Sequence, residues 1–281
     1  MATRGTLFLV ATPIGNLGDL TARAIETLRS CDRVLAEDTR RTRQLLTHFG
    51  IAGKPVERLD AHAGEHDVAR VMARLAENER IALVTDAGTP GVSDPGEALV
   101  VAAIAAGAAV VPVPGASAVL AAIVASGLAG DGRFRFVGFL PRDGTARREA
   151  IALVCETPEA VVLFEAPSRV RGTLRELADA TPDRDACVAR ELTKVHEEFV
   201  RSSCAALAAD EREWIGEIVV VLAAHAPGDP LARVDDAALD ARIDEALSRG
   251  DHARTVADRL AAWSGRPKRQ VYERVVERKK R

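Results

Sequence analysis

Three times in its first 118 residues the chain runs through a short, mostly apolar stretch, stops on a loop of small and turn-forming residues, and opens a helical pattern. Leu7 to Ala11 leads into Thr12-Pro13-Ile14-Gly15-Asn16-Leu17-Gly18-Asp19. Ile81 to Thr85 leads into Asp86-Ala87-Gly88-Thr89-Pro90-Gly91-Val92-Ser93-Asp94-Pro95-Gly96, and Val110 to Val113 into Pro114-Gly115-Ala116-Ser117-Ala118. Strands that alternate with helices in this way belong to a largely parallel sheet covered on both faces, so the fold class is α/β. Such sheets take ligands at the carboxyl ends of their strands, where glycine lets backbone approach and a helix N-terminus favours an anion.

The remaining periodicity fills in this frame. Asp19 is expected to cap a helix with Leu20, Ala24, Ile25 and Leu28 on one face. Arg33 to Ala36 and Val56 to Leu59 read as further strands, with Val68, Val71, Met72 and Leu75 marking a helix after them. Asp94 is expected to cap another helix with Pro95 at its first position, ended by Gly107. The pattern then restarts. Ala116 to Ser126 reads as a helix stopped by Gly127, and Phe134 to Phe139, Ala160 to Glu165, Cys187 to Arg190 and Ile218 to Ala224 as strands of a second sheet, separated by helices at about Thr145 to Cys155 and Val170 to Ala180. Ala226-Pro227-Gly228-Asp229-Pro230 is a linker by composition. Three helices follow it, Ala237 to Leu247, Ala253 to Trp263 and Lys268 to Arg278, forming a helix-turn-helix nucleic-acid module or a helical cap. With 281 residues the chain suits two domains and an appendage: 1–115, 116–225 and 226–281.

A formal charge of −3 gives no global attraction to nucleic acid, so RNA binding would have to come from local basic patches. Arg40, Arg41 and Arg43 form one, and Arg142, Arg147 and Arg148 a second. The last sixteen residues, Lys268 and Arg269 among them, hold eight basic residues. Runs of this kind also occur as solvated helix faces. The four cysteines are widely spaced with no C-x-x-C pair, which argues against zinc and a disulfide framework and suits reduced cytoplasmic thiols. Only five apolar residues precede Thr12-Pro13, too few for a signal-peptide core, and the longest apolar run breaks at Pro112, short of the roughly 20 residues a membrane span needs. The expected location is the cytoplasm, with no membrane partner.

Several motif fragments compete for the chemistry. Gly15 and Gly18 match half of a dinucleotide fingerprint and Asp38 lies twenty residues beyond Gly18, but the first glycine is missing. His62-Ala63-Gly64-Glu65-His66 matches a zinc-hydrolase string, yet Gly64 weakens the helix such ligands need, and no metal is expected. Phe134, Phe136 and Phe139 resemble part of an RNA-recognition strand whose glycine is here Arg133; alternating phenylalanines are more often core. No serine has a G-x-S-x-G setting. Ser117 alone reads as a helix N-cap.

Taken together, Leu9 to Asp19, Ala36-Glu37-Asp38-Thr39-Arg40, Asp86 to Pro90 with Asp94-Pro95-Gly96, and Val113 to Ala118 resemble the tetrapyrrole methylase superfamily. Gly138-Phe139-Leu140-Pro141, Phe164-Glu165-Ala166-Pro167, Ala189-Arg190-Glu191-Leu192-Thr193-Lys194 and Gly216-Glu217 add the pattern of its ribosomal RNA small subunit methyltransferase I branch, from about Thr6 to Ala224. The resemblance implies a two-domain class III methyltransferase fold with a small C-terminal helical domain, a homodimer, and S-adenosylmethionine (SAM) as methyl donor. It also implies 2′-O-methylation of a cytidine ribose in the decoding region of 16S rRNA, on the 30S subunit. By motif position Pro13, Gly15, Asp86, Gly88, Thr89, Ser93, Ser117 and Ala118 would line the SAM site. The chain departs from the family at Ser168, where a histidine is common, and across Asp60 to Glu65.

A ribose hydroxyl is a weak acid, so a general base and a nearby cation would assist transfer. Asp38 is the first candidate base, with Arg40 holding a phosphate, and Glu165 with Lys194 the second pair; Glu37, Asp38 and Arg40 could instead form a structural ion-pair network. Two other functions stay open: a precorrin or uroporphyrinogen methyltransferase, and a ribosome-assembly factor without turnover.

Overall fold

The structure, a computed structural model, describes residues 5–59, 64–94, 96–224, 236–248, 251–264 and 268–279. It divides into one unit up to Ala224 and a second from His225.

In the first half of the larger unit the chain order is β1 (Thr6–Val10), α1 (Ala22–Ser30), β2 (Arg33–Ala36), α2 (Thr39–His48), β3 (Val56–Arg58), α3 (Glu65–Ala76), β4 (Arg80–Val84), α4 (Glu97–Ala105) and β5 (Ala109–Val113). The strands form one sheet in the order β3-β2-β4-β1-β5, parallel at every pairing. Alternate residues serve opposite faces. Val10, Val34, Ala36, Ala82 and Val84 pack with Leu20, Ala24, Leu28 and Leu46, whereas Leu7, Leu35, Ile81 and Leu83 pack with Val71, Leu75, Leu99 and Ala103. Burial on both faces is why these strands read as unbroken apolar runs, and each buried Val, Leu or Ile contributes about 1.5–3 kcal/mol.

This layering places a crevice. β1 leads to α1 on one face, its neighbour β4 leads towards α4 on the other, and the two outgoing loops part at the strands' carboxyl ends. The loops still touch at their bases, where Thr12 N–H donates to Gly88 O (2.8 Å) and Gly88 N–H to Thr12 O (3.1 Å). Gly88 has φ +83°, a conformation that disfavours other residues.

The second half comprises α5 (Ala118–Ser126), β6 (Phe134–Phe139), α6 (Gly144–Glu156), β7 (Ala160–Glu165), α7 (Pro167–Ala180), β8 (Asp185–Arg190), β9 (Glu198–Ser203), α8 (Cys204–Ala209) and β10 (Ile218–Leu222). Its sheet, ordered β6-β7-β10-β8-β9, is mixed: β6 and β7 are parallel, and the other pairings are antiparallel. β10 enters between β7 and β8 and runs against both. One face carries Val119, Ala122 and Ile123 of α5, joined by Ile14 from the first loop; the other carries α6, α7 and α8 through Ile151, Leu174 and Leu207. Cys31, Cys155, Cys187 and Cys204 are buried free thiols, and burial pushes that of Cys204 up to about 11.

Two expected caps are corrected. Asp19 lies in a 3-10 turn, Leu17–Asp19, and α1 is capped by Thr21, whose hydroxyl accepts from Ala24 N–H (3.1 Å). Asp94 does not cap α4, because Gly96 precedes its first residue at φ +125°. A Cβ on Gly96 would lie 2.7 Å from Leu83 Cδ2, so the close approach of loop to core demands glycine there. Asp60 to Ala63, Pro95, the proposed linker and the Gly265-Arg266-Pro267 break lie outside the described residues, and with them His62 of the zinc-like string.

In the smaller unit α9 (Asp236–Ser248), α10 (Ala253–Ser264) and α11 (Lys268–Lys279) enclose Leu239, Ile243, Val256, Leu260, Val271 and Val275. Arg274 pairs with Asp240 (2.6 Å) and Asp236 (3.0 Å), and Arg278 with Asp240 (2.7 Å) and Asp244.

Candidate active site

A cavity of about 470 Å³ opens at the parted loops, a size suited to one small ligand. Gly88 and Thr89 reach it from the loop after β4, Ser117 and Ala118 from the start of α5, Phe164 to Pro167 from the end of β7, and Gly216 to Val219 from the start of β10. Thr89 Oγ1 donates to Ala116 O (3.3 Å) and ties two loops together. Ser117 accepts from Leu120 N–H (3.4 Å), so its hydroxyl serves as the N-cap of α5 while facing the cavity.

Four carboxylates line the same space: Asp86, Asp94, Glu165 and Glu217. Asp86 accepts from Asp38 N–H (3.1 Å) and pairs with Arg41 (3.2 Å). Glu217 lies 3.2 Å from Lys194 Nζ. Glu165 is buried among Thr173 Oγ1 (2.6 Å), Ala166 N–H (2.8 Å) and the Arg169 guanidinium (2.5 Å). Desolvation, followed by the charges of Glu37 and Asp86, pushes the Asp94 carboxyl up to about 6.

A second cavity of about 440 Å³ adjoins the first and shares Ile14, Arg41, Asp86, Ala87 and Glu217 with it. Pro13, Gly15, Gln44, His48 and Lys194 also line it. Gly15 presses on the turn after β8: a Cβ there would lie 2.8 Å from Thr193 Oγ1. That turn is braced by Glu191, which accepts from Lys194 Nζ (2.8 Å) and Glu217 N–H (2.9 Å). The Lys194 bond, then the Glu217 amide, hold the Glu191 carboxyl below the ordinary range. Glu191 and Thr193 both have positive φ, strain of the kind that collects at functional loops.

The structure brings together Asp86, Gly88, Thr89, Ser93, Ser117 and Ala118 around the first cavity and puts Pro13 and Gly15 at the second. Three candidate catalytic residues are held by specific partners. Asp38 is the N-cap of α2, accepting from the N–H groups of Arg40 (2.8 Å) and Arg41 (3.3 Å); those two bonds hold its carboxyl below the usual range, which makes it a weak base. Glu165 and Lys194 have different partners, and Glu165 oxygens are already engaged.

Among the candidate RNA contacts, Arg147 is buried, bonded to Glu176 (2.6 Å), Thr173 (2.8 Å) and Pro141 O (3.0 Å), so it is a structural residue. Arg142 and Arg148 are exposed. Arg43 ties α2 to Val56 O (3.2 Å) and Arg40 stands 80% exposed beside Asp38. Lys268 pairs with Asp258, and the exposed Arg269 with Glu273 (3.3 Å). Sequence reasoning missed Asp94 as a cavity carboxylate, having read it as a cap, and Phe139, which lies at the cavity after a break in the β6 register.

The first cavity fits SAM. Its acidic lining suits a sulfonium, the start of α5 suits a carboxylate, and Phe164, Ile218 and Val219 offer an apolar wall to a purine. The parallel sheet, the parted loops and this cavity define a methylase of the tetrapyrrole class, and residues 6–208 match the family described as Tetrapyrrole (Corrin/Porphyrin) Methylases. Solved structures agree on the fold. Diphthine synthase superposes with a TM-score of 0.59 at 20% identity, covering 78% of this chain and 90% of that one. A conserved hypothetical protein of Aeropyrum pernix K1 gives 0.61 at 23%, covering 99% and 97%.

Sequence relatives are narrower. Ribosomal RNA small subunit methyltransferase I of Xylella fastidiosa (strain Temecula1) is 43% identical over 97% of this chain and 99% of its own length. The protein of the same name from Bacillus subtilis (strain 168) is 36% identical over 96% and 93%. The chain belongs to the ribosomal RNA small subunit methyltransferase I family of the tetrapyrrole methylases.

Proposed function

We infer that the protein transfers a methyl group from SAM to ribosomal RNA, and that the acceptor is a cytidine 2′-hydroxyl in the decoding region of 16S rRNA on the 30S subunit. Family membership supports the donor and the rRNA substrate. One structural observation carries the arrangement: two adjoining cavities share a wall that bears Arg41, with Asp94 and Glu165 lining only the first and His48 and Lys194 only the second. A cationic donor suits the cavity lined by Asp94 and Glu165, and an RNA phosphate suits Arg41 and Lys194 beside it, which leaves the acceptor nucleotide at the rim of the donor cavity. SAM supplies the electrophilic methyl, and the chain's task is to hold the acceptor oxygen in line with it. Splaying one nucleotide from its stack makes its ribose accessible.

A homodimer is part of this reading. α4 beyond Glu97 and α5 up to Ser126 are apolar, and Ile104 and Val124 stand 62% and 73% exposed, as expected of helices that a second copy covers. No helix among the described residues is long and apolar enough to cross a membrane.

Incubation with methyl-labelled SAM and unmethylated 30S subunits, followed by mapping of the labelled ribose, tests the function. Label at one decoding-region cytidine is the expected result; label on tetrapyrroles alone, or none on 30S, on naked RNA or on assembly intermediates, overturns it. Light scattering of Ile104→Glu against the parent chain tests the dimer.

A further inference from the structure

Three of the four carboxylates in the larger cavity are engaged: Asp86 by Arg41, Glu217 by Lys194, and Glu165 by Thr173 and Arg169. Asp94 differs. Half-buried in the same wall, it receives no hydrogen bond and no cation among the described residues. Beside it Ser93 has φ +61°, and Gly96, two residues on, φ +125°. Strain at a non-glycine residue beside an unpartnered carboxylate is the pattern of a site, not of a cap.

The facing strand is shaped to the same spot. Between Phe136 and Phe139 the register of β6 on β7 shifts, and Gly138 takes φ +67°. A Cβ on Gly138 would lie 3.1 Å from Ser93 Oγ, so this bulge is seated against the Ser93–Asp94 turn. Phe136 stays in the core, but Phe139 is turned out to 58% exposure, with its ring 5.5 Å from that of Phe164. A bulge that re-aims a side chain beside a cavity has placed an aromatic face at the same cavity that the free carboxylate lines.

We propose that Phe139 and Asp94 form the seat of the acceptor nucleoside: the base stacks on the Phe139 ring and the Asp94 carboxylate takes the proton of the ribose hydroxyl. This rests on the 2′-O-methylation reading above. The ribose oxygen bonds to the methyl carbon as the S–C bond of SAM breaks and its electron pair goes to sulfur. The hydroxyl proton passes to Asp94 and from there to water.

Asp94 acts as its carboxylate, and it titrates near 6 because burial and the charges of Glu37 and Asp86 oppose ionisation; Glu165, Glu217 and Arg41 also face this space. A base with a value near the working pH combines availability with driving force. The rate therefore rises with pH through about 6 and levels above it.

The test is single-turnover methylation of 30S subunits by the full chain at saturating SAM, with SAM affinity by calorimetry and thermal unfolding on the same preparations. Asp94→Asn is expected to slow transfer at saturating SAM by about 10²-fold or more, well beyond any loss of SAM affinity, and to abolish the acid limb. Asp94→Glu should retain the limb, and Phe139→Ala should weaken 30S binding about tenfold where Phe139→Tyr does not. Asp94→Asn turnover within about threefold of the parent, an unchanged acid limb, or a matching loss of SAM affinity overturns the assignment. A parent chain that labels no 30S ribose sinks the function and this inference together; an active parent with an indifferent Asp94→Asn sinks the inference alone.

Discussion

The helices α2 and α11 carry arginines at similar density and use them in opposite ways. On α11, Arg274 and Arg278 face the Asp236, Asp240 and Asp244 row of α9 and close a self-contained ion-pair ladder. On α2, Arg40 is 80% exposed beside Asp38, while Arg41, 62% exposed, leans over Asp86 at the wall shared by the two cavities. Local charge in a sequence counts basic residues; only the fold says which are neutralised before any ligand arrives. Arg147 shows the limit of counting, for it sits between two exposed arginines in the chain yet is buried against Glu176 and Thr173.

The largest effect should come from that inward arginine. Arg147→Ala strips a donor from Thr173 and a cation from the Glu165 and Glu176 side of the core, and removing one partner of such a buried network typically costs about 3–5 kcal/mol. Urea unfolding should register it, and wild-type stability with weakened 30S binding would move Arg147 back among the RNA contacts. Arg41→Ala should do the reverse: stability within about 0.5 kcal/mol, since the pair is exposed, but 30S turnover lower by on the order of tenfold. Unchanged turnover would remove the functional side of the comparison.

Arg274→Ala should cost about 1 kcal/mol or less, read as faster amide exchange in α9 and α11. The same ladder predicts a pH response. The hydrogen bond from Arg274 holds the Asp240 carboxyl below its ordinary range. Its stabilisation is therefore present above the ordinary carboxylate value and lost as pH falls through the lowered one. Protection of these helices that rises with acid would contradict the pairing.

The central strands of the first sheet were legible because they are buried on both faces, and Arg33–Ala36 and, in the second sheet, Ala160–Glu165 come out with the bounds their residues suggest. What the sequence hid was polar or borderline. α2 has only Thr42 and Leu46 buried, so Thr39-Arg40-Arg41-Thr42-Arg43 shows no apolar stripe. β9 is an edge strand, half-exposed, with Glu198 and Arg201 interrupting any alternation. The ligand loops announced themselves through glycine and proline, which act on the backbone locally. Asp38 is held locally, by the amides two and three residues on, whereas the roles of Asp94 and Glu165 depend on what the fold brings to them: no partner among the described residues, and a buried hydroxyl with a guanidinium. Two of those three carboxylates, the expected bases, are engaged by neighbours, and the third, expected to cap α4, lines the cavity instead.

The smallest expected effect separates the two helices most cleanly. Each phosphate contact made by a lysine or arginine adds about 0.9 to the slope of log affinity against log salt. Lys268 is paired with Asp258, and Arg269, 91% exposed, lies 3.3 Å from Glu273, so neither is a bare charge. Replacing both by alanine removes two cations but frees two carboxylates from their partners. The slope for 30S binding should then change by less than about 1, while Arg40→Ala with Arg41→Ala should lower it by about 1 to 2, the smaller figure if Asp86 keeps Arg41 from the phosphates. The opposite order would mean that RNA displaces the acidic partners on α10 and α11 and that the helical unit is the gripping surface. α2 would then act only at the reacting nucleotide, and the comparison would survive in a different form, with exposure before binding no guide to which arginines the RNA recruits.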